Sequence, residues 1–430
     1  MDRVGGESGW AVFRRLLYFG LGVKRWLLAG AVGIGVCAVG IAFVIKNLFA
    51  LNTPNLLPWH LEGVIVAAAG VALIVMSVWG LYRSVGPLLL RYQSVSALAR
   101  TIYDRRSKER GPRVVTIGGG TGLSVLLRGL KQHTDNITAI VTVADDGGSS
   151  GRLRRELGLP PPGDFRNCLV ALSEDEGLVA DLFQYRFNQA GSLEGHSFGN
   201  LFIAAMASVT GSFEEALHES SKVLAVHGRI LPATRSPLSL TARLTNGTLV
   251  RGESKIAESG GLIEKVHIEP ANSAGHPDAV EAIMRADVVV VGPGSLYTSI
   301  LPNLLVSEIS DAMRKSNATT IYVCNVATEE GETDGFSVAD HVRTLQDHTF
   351  PTIADYVVTN ENVVEVGPGF AGEAVAAADE SPPNVRVVSE DLVDSSHPIR
   401  HDSTKLAQVV LDVYHGRYNA RNQQGVAVGR

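Results

Sequence analysis

The sequence predicts an α/β fold, an open and mostly parallel sheet with a small β-hairpin insertion, preceded by two transmembrane helices. From residue 113 onward, short apolar runs typical of buried parallel strands alternate with helical stretches. Two long charge-free runs come before them, and Asn246-Gly247, a strong hairpin signal, separates two strand-like runs later in the chain. The 430 residues carry a net charge of −6, which argues against a nucleic-acid partner bound through phosphate neutralisation.

The two charge-free runs are predicted to anchor the chain in the cytoplasmic membrane. Residues 26–45 and 63–82 hold no charged side chain, and a bilayer-spanning helix needs roughly 20 such residues. Basic residues precede the first run and follow the second, so the positive-inside rule places both termini and the α/β domain in the cytoplasm. Two buried core helices are the alternative, and a cleaved signal peptide is disfavoured because a second run follows.

These signals divide the chain into five segments. Residues 1–25 form a cytoplasmic tail, 26–82 a transmembrane hairpin, 83–112 a basic juxtamembrane helix or linker, 113–415 the α/β domain and 416–430 a flexible tail. The basic segment has apolar residues at helical spacing, so we expect it to lie on anionic lipid or to pair with a second copy in a homo-oligomer. A solvated linker helix is an equal alternative.

The stretch VVTIGGGTGLSVLLRGL is typical of a strand, a glycine turn and a helix. Gly118, Gly119, Gly120 and Gly122 leave the backbone bare at the start of the helix, and Thr121 adds a hydroxyl group. Backbone N–H groups and the helix dipole favour an anion there, so the turn is predicted to bind phosphate. The spacing fits neither a dinucleotide fingerprint nor a Walker loop, and a packing role for the glycines is the alternative.

Acidic and hydroxyl side chains follow the second predicted strand, ITAIVTVA. Asp145 and Asp146 stand at its end, where a carboxylate accepts hydrogen bonds from a ribose or holds a magnesium ion beside a phosphate. A helix cap or a turn is the structural alternative. The next turn supplies Ser149 and Ser150, followed by Arg152, a combination that suits a diphosphate or a sugar phosphate.

Two further clusters are predicted to open helices. In PPGDFRNCL, Asp164 is a candidate helix cap, and Arg166 and Asn167 follow in the first turn. An arginine there opposes the helix dipole, which indicates that Arg166 faces a carboxylate or a phosphate. In EGHSFGNL, His196 and Asn200 stand at a helix start, where capping and ligand contact are equally good interpretations.

A second glycine turn follows the buried strand ADVVVVGP. Gly292, Gly294 and Ser295 lead into a helix that carries Thr298, which repeats the geometry of the first turn. Two such turns at the carboxyl ends of parallel strands predict a ligand cleft. The sequence has no nucleophile elbow and no HExxH pattern, so the clusters are predicted to bind a ligand and not to form a catalytic set.

Seven motifs occur in a fixed order along the domain: GGGTGLSVLLRGL, VTVADDGGSSGRLR, PPGDFRNCLVALS, HSFGNLFIAAM, VGPGSLYTSILPNLLV, YVCNVATEEGETDGFSVADHV and IRHDSTKLA. In these motifs the chain resembles the YvcK/GlmR family of gluconeogenesis factors, part of the CofD-like superfamily named after 2-phospho-L-lactate transferase. The resemblance implies a Rossmann-like domain that binds UDP-N-acetylglucosamine. It also implies that NAD-type dinucleotides are able to occupy a similar site.

The resemblance implies roles for particular residues. Residues 119–122 would contact phosphates, Asp145 or Asp146 a ribose or a metal ion, and Arg400 the diphosphate or the sugar. His401 belongs to the same motif as Arg400, and a structural role is equally expected for it. The rest of the ligand would be contacted by Asn167, Asn200 and residues 294–298.

The family implies a regulator without an established enzymatic reaction. It influences peptidoglycan precursor supply and cell shape, and protein partners in cell-wall synthesis are expected. The alternative is a transferase of the CofD kind, which moves a phospholactyl-type group to a deazaflavin with magnesium at its aspartates. A transporter is disfavoured because the apolar runs contain no charged side chain. The hairpin departs from the familiar soluble members, which begin close to the glycine loop.

Overall fold

The computed structural model describes residues 23–48, 59–91, 106–174, 177–188, 191–362, 372–376, 382 and 384–417. The chain divides into two compact units, Met1–Ser107 and Lys108–Arg430. Three predicted stretches lie outside the described residues: the N-terminal tail up to residue 22, residues 92–105 of the basic segment, and residues 418–430 at the C-terminus.

The first unit contains two long helices, α1 (Val23–Leu48) and α2 (Trp59–Arg91), which pack closely against each other. Small residues permit this approach, since a Cβ atom added at Gly40 would lie 2.4 Å from the backbone nitrogen of Ala67. Large apolar side chains remain exposed, among them Leu28 at 68% and Val78 at 62%. The pair therefore buries small residues and exposes large apolar ones, as helices packed within lipid do.

Only α1, among the described residues, has a stretch long and apolar enough to cross a membrane, Arg25–Ala42. The apolar stretch of α2, Val64–Gly80, is shorter than a full span. The predicted pair of transmembrane helices is thus not supported, and one candidate span remains.

The strands and helices of the second unit follow the alternation that the sequence predicts. The strands are β1 (Val114–Gly118), β2 (Ile137–Val141), β3 (Arg229–Pro232), β4 (Ser239–Leu244), β5 (Leu249–Arg251), β6 (Ile263–Glu269), β7 (Val288–Val291), β8 (Thr319–Val323), β9 (Tyr356–Asn360), β10 (Arg386–Glu390), β11 (Val393–Asp394) and β12 (His397–His401). The helices are α3 (Gly120–Leu130), α4 (Gly148–Leu157), α5 (Pro162–Leu172), α6 (Leu178–Gln184), α7 (Phe198–Thr210), α8 (Phe213–Val223), α9 (Glu253–Glu258), α10 (Pro277–Arg285), α11 (Leu301–Leu304), α12 (Ser307–Lys315), α13 (Val338–His348) and α14 (Ser403–Tyr414).

Seven strands form one sheet in the order β10-β9-β8-β7-β1-β2-β3, and every neighbouring pair is parallel. The central strands are fully buried apolar runs, and β7 consists of four valines. Strands covered by helices on both faces need such runs, because a polar side chain on either face would lose its hydrogen bonds to water. The prediction of an open, mostly parallel α/β sheet is confirmed, and the order is that of a Rossmann-like fold.

A small antiparallel sheet, β5-β4-β6, interrupts this alternation. β4 and β5 form the hairpin predicted at Asn246-Gly247, and Gly247 takes the left-handed φ of +84° that its turn requires. The third strand, β6, pairs with the other edge of β4 and was not predicted. A second short antiparallel pair, β11-β12, carries Arg400 towards the main sheet's ligand edge.

Three predicted boundaries differ from the structure. β2 ends at Val141, so Asp145 and Asp146 lie in the following loop and not at the strand end. The predicted glycine-serine turn after them is the first turn of α4. α5 begins at Pro162, which places Arg166 one turn inside the helix. Proline at the first helical position costs no hydrogen bond, so the helix starts earlier than the Asp164 cap suggested.

Candidate functional site

The site lies where the order of the sheet reverses. After β1 the chain adds β2 and β3 on one side, and it then returns to place β7 on the other side of β1. β1 and β7 pair in register, Ile117 opposite Val291, so the loops that follow them start next to each other. Open α/β sheets bind ligands in the crevice at such a switch point.

The two glycine loops are in direct contact. A Cβ atom at Gly122 would lie 2.7 Å from the carbonyl oxygen of Pro293, and one at Gly294 would lie 3.2 Å from the carbonyl oxygen of Gly119. Gly292, at the end of β7, has a left-handed φ of +81°. Side chains at these positions would push the loops apart, so the glycines are needed for the approach.

An open cavity of about 230 Å³ lies between the loops. Seven predicted residues line it, whereas Gly118 and Gly292 lie behind it at the strand ends. The predicted residues in its wall are Gly119, Gly120, Thr121, Gly122, Gly294, Ser295 and Arg400. The sequence did not single out Ser299, Asn325 and Glu329, which also line it.

The N-terminus of α3 forms one wall of the cavity. Its N-cap residue, Gly119, has no side chain to bond the first-turn N–H groups. The Asp164 carboxylate reaches one of them, the N–H of Gly120. The remaining N–H groups and the positive end of the helix dipole favour an anion at this wall.

Asn325 holds the second glycine loop in place. Its Oδ1 accepts a hydrogen bond from the N–H of Gly294 (3.1 Å), and its Nδ2 donates to the Gly294 carbonyl (3.1 Å). The preceding residue, Cys324, bonds through its backbone with His401. Burial lowers the pKa of His401 to about 4, so the imidazole stays neutral and supports the wall structurally. Asn325 lies in the motif YVCNVATEEGETDGF, and this motif was the feature of the sequence that could have identified it as a site residue.

Five carboxyl groups form an acidic cluster beside the cavity: Asp145, Asp146, Asp164, Glu253 and Glu332. Burial and then the charge of Asp145 raise the pKa of Asp164 to about 6. Burial and then Asp145 and Asp146 raise the pKa of Glu253 to about 8, and burial and then Glu329 raise that of Glu332 to about 7. Carboxyl groups crowded in this way keep some protons at neutral pH because adjacent negative charges repel.

Asp145 and Asp146 are partly engaged within the protein. Asp145 Oδ1 accepts the N–H of Gly147 (2.9 Å), and Asp146 Oδ1 accepts the N–H and hydroxyl of Ser254 (3.0 and 2.9 Å). Among the described residues, only Glu215, His218 and Glu219 of α8 lie close enough together to offer three ligand atoms to one ion. The magnesium site at Asp145 and Asp146 therefore stays a prediction.

Five predicted residues form a separate polar cluster. Arg166 donates to the Asn200 side-chain oxygen (3.2 Å) and, through its other terminal nitrogen, to that of Asn167 (2.9 Å). Asn200 donates to the Ser149 hydroxyl (3.0 Å), which also bonds Nδ1 of His196 (2.9 Å). These residues lie together outside the wall of the described cavity, and their contact with a ligand stays a prediction.

Three other predicted residues bond to the protein itself. The Ser150 hydroxyl accepts the N–H of Gly163 (3.1 Å), and Arg152 donates to the Glu194 carbonyl (2.6 Å). Thr298 lies in a π-helical turn, Leu296–Ile300, and donates to Glu332 (2.8 Å). Their contact with a ligand stays a prediction. The turn brings the neighbouring Ser299 into the cavity wall, which a regular helical reading of the sequence missed.

The sheet order and the loop-lined crevice define a Rossmann-like α/β protein. The family described as 2-phospho-L-lactate transferase CofD matches residues 114–417. The gluconeogenesis factor of Bacillus subtilis is 46% identical over 310 residues, which cover 70% of this chain and 98% of that protein. The chain belongs to the gluconeogenesis factor family within the CofD-like group, as the motifs predicted.

Two further relatives show how much of the chain is shared. A relative from Nostoc sp. is 44% identical over 429 residues and covers 94% of this chain and 92% of its own length. A crystal structure of a Bacillus halodurans protein is 45% identical, with a TM-score of 0.67, and covers 70% of this chain and 100% of its own. The Nostoc relative thus matches nearly the whole of this chain, whereas the two Bacillus proteins match about 70% of it over nearly their whole length.

Proposed function

We propose that the chain is a membrane-anchored, nucleotide-sugar-binding regulator whose ligand is UDP-N-acetylglucosamine. The observation that carries this proposal is the cavity at the switch point, where two bare glycine loops and the Arg400 guanidinium converge. Backbone N–H groups at the start of α3 bind one phosphate, and Arg400 binds the other. Ser295, Ser299 and Asn325 offer hydroxyl and amide groups to the sugar.

A magnesium ion accompanies the diphosphate in this proposal. The carboxyl groups beside the cavity that are ionised would repel an anionic ligand, and a divalent cation held by oxygen ligands removes that repulsion. Asp146 fits such an ion because its Oδ2 takes no part in the hydrogen bonds from Ser254. Asp145, which also bonds the Ser150 hydroxyl, would exchange that bond for the ion. An NAD-type dinucleotide carries the same diphosphate, so it competes for the cavity.

The first unit serves as the anchor. Its outer surface is apolar, and small residues fill the contact between α1 and α2, an arrangement that suits lipid better than water. A core helix of a soluble protein would be covered, whereas the stretch Arg25–Ala42 is mostly exposed. We expect detergent to extract the full chain from membranes and alkaline carbonate to leave it there, so release by carbonate alone would contradict the anchor. Reporter fusions at each terminus show on which side of the membrane each end lies.

The ligand is proposed to report the supply of peptidoglycan precursor to a protein partner in cell-wall synthesis, and so to influence cell shape. A homo-oligomer would present several ligand sites to that partner at the membrane surface. The family membership agrees with a regulatory role.

Calorimetry on the full chain in detergent tests the ligand. We expect UDP-N-acetylglucosamine to bind and Arg400→Gln to weaken it at least tenfold, because a charge-assisted bond to phosphate is worth roughly 1.5–3 kcal/mol. Arg243→Gln is the matched control, since Arg243 is an exposed arginine on the small antiparallel sheet, bonded to Glu264. Absence of binding by every UDP-sugar, with or without magnesium, would overturn the proposal.

The acidic cluster favours one second candidate, a CofD-like transferase. Magnesium at the aspartates would hold a phospholactyl-type donor for transfer to a deazaflavin. A turnover assay with the deazaflavin and magnesium decides between the two. Product that forms with the native chain and disappears in Asp145→Asn would replace the regulator by the transferase.

A further inference from the structure

Arg166 is a buried arginine without a counter-ion. Its side chain is 6% exposed, and its terminal nitrogens donate to the Ser197 hydroxyl (2.6 Å) and to the amide oxygens of Asn200 and Asn167 (3.2 and 2.9 Å). Its Nε has no partner. Within the described part of the chain, no carboxylate oxygen lies within 4.0 Å of its guanidinium. All three acceptors are therefore neutral.

Such an arrangement is costly without an anion. Removing a guanidinium from water costs several kcal/mol, and hydrogen bonds to neutral acceptors offset only part of that free energy. Burial, followed by repulsion from Arg186, lowers the pKa of Arg166 to about 10, so the group is still charged at neutral pH. Asp164 and Asp145 attract it only from beyond ion-pair distance.

The surrounding elements add positive charge. Ser197, which accepts from Arg166, is the N-cap of α7, a helix of 13 residues. The positive end of that helix dipole thus meets a cation, which is unfavourable unless an anion lies between them. Arg152 adds a third positive charge close to His196, whose pKa is lowered chiefly by burial and then by that arginine.

We propose that Arg166, Asn167 and the N-terminus of α7 form a second anion subsite, which takes a phosphate or carboxylate group. This subsite is separate from the glycine-loop cavity. It is the second one only if that cavity binds an anion, so this part of the inference rests on the proposed function. The group belongs either to a distal part of the same ligand or to an independent acidic co-ligand. In both cases the anion neutralises the buried charge and gives the Nε–H of Arg166 an acceptor.

Titration of inorganic phosphate into the full chain in detergent, at ionic strength balanced with chloride, tests the subsite. The titration is done in the Arg400→Gln background, where the glycine loops hold phosphate weakly. We expect Arg166→Met to weaken phosphate at least tenfold, Arg166→Lys to recover part of the affinity, and Arg243→Gln to leave it unchanged. Arg186→Gln, an exposed change, is expected to weaken phosphate about threefold if Arg166→Met fails to fold.

A second titration, with UDP-N-acetylglucosamine at saturation in the native background, identifies the source of the anion. Phosphate that still binds indicates an independent co-ligand. Phosphate that is excluded, together with a tenfold loss of nucleotide sugar in Arg166→Met, indicates a group of the same ligand. The subsite is overturned if neither the phosphate nor the nucleotide-sugar affinity depends on Arg166 or Arg186. If only the nucleotide sugar fails to bind, the proposed function falls and the phosphate titration still decides the subsite.

Discussion

Replacing Gly122 by alanine should force the two glycine loops apart. The added Cβ would lie 2.7 Å from the carbonyl oxygen of Pro293 and 3.0 Å from the backbone nitrogen of Gly294, whereas ordinary contact begins at 3.4 Å. The loops must therefore separate by about 0.7 Å, and overpacking of this kind costs about 1–3 kcal/mol. Alanine gains up to about 1 kcal/mol in helix propensity within α3, so the net loss of stability is about 1 kcal/mol.

The matched control is Gly118→Ala, four residues earlier. Its Cβ would have its nearest contacts at 3.8 and 3.9 Å, an ordinary separation. Urea denaturation of the full chain in detergent compares the two variants, and calorimetry measures their affinity for UDP-N-acetylglucosamine. We expect about tenfold weaker binding in Gly122→Ala only. Equal stability and equal affinity in the two variants would refute the idea that contact between the loops shapes the cavity.

Three further changes have defined outcomes. Asn325→Leu removes both hydrogen bonds to Gly294 and should cost about 1–3 kcal/mol in unfolding free energy and weaken the nucleotide sugar, by denaturation and calorimetry. Magnesium affinity should rise about tenfold from pH 6 to pH 8 by calorimetry. The raised pKa values of Asp164, Glu332 and Glu253, about 6, 7 and 8, mean that these neighbours of the ion site release protons as the ion binds. Without metal, the same shifts make stability fall as pH rises through this range. A pH-independent affinity would contradict this ion site. Gly40→Leu should open the contact between α1 and α2 and increase proteolysis of the first unit, whereas Gly35→Leu, with nothing within 4 Å, should not.

The sheet was predictable because its strands carry the signal themselves. Helical stretches flank β7, which has four consecutive valines, and the apolar strand β1. Such apolar runs between helices predict buried parallel strands. β6 was missed because its residues, IEKVHIE, alternate with charges and pair with β4, which lies some twenty residues earlier. Pairing over such a distance depends on the insertion as a whole and leaves little trace in a local pattern.

The glycine loops of the site were predictable from the sequence. The side chains that hydrogen-bond to those loops were not. Bare loops after β1 and β7 follow from the spacing, and the switch point then places them together. Asn325 was overlooked because an asparagine after a strand is an ordinary turn residue until Gly294 lies opposite. Glu332 was overlooked because its burial against Thr298 depends on the π-helical turn.

The sequence does not predict that the buried arginine and the buried carboxyl groups lie apart from each other. This arrangement constrains the function most. Acidic residues and arginines alternate along residues 145–166, so the printed order suggests mutual neutralisation. The structure instead bonds Arg166 to neutral side chains and crowds the carboxyl groups with one another. A protein selected for stability alone would have paired them, because unpaired buried charges cost free energy on both sides. The proposed ligands, an anion for the arginine and a cation for the carboxylates, would supply the partners that this separation leaves out.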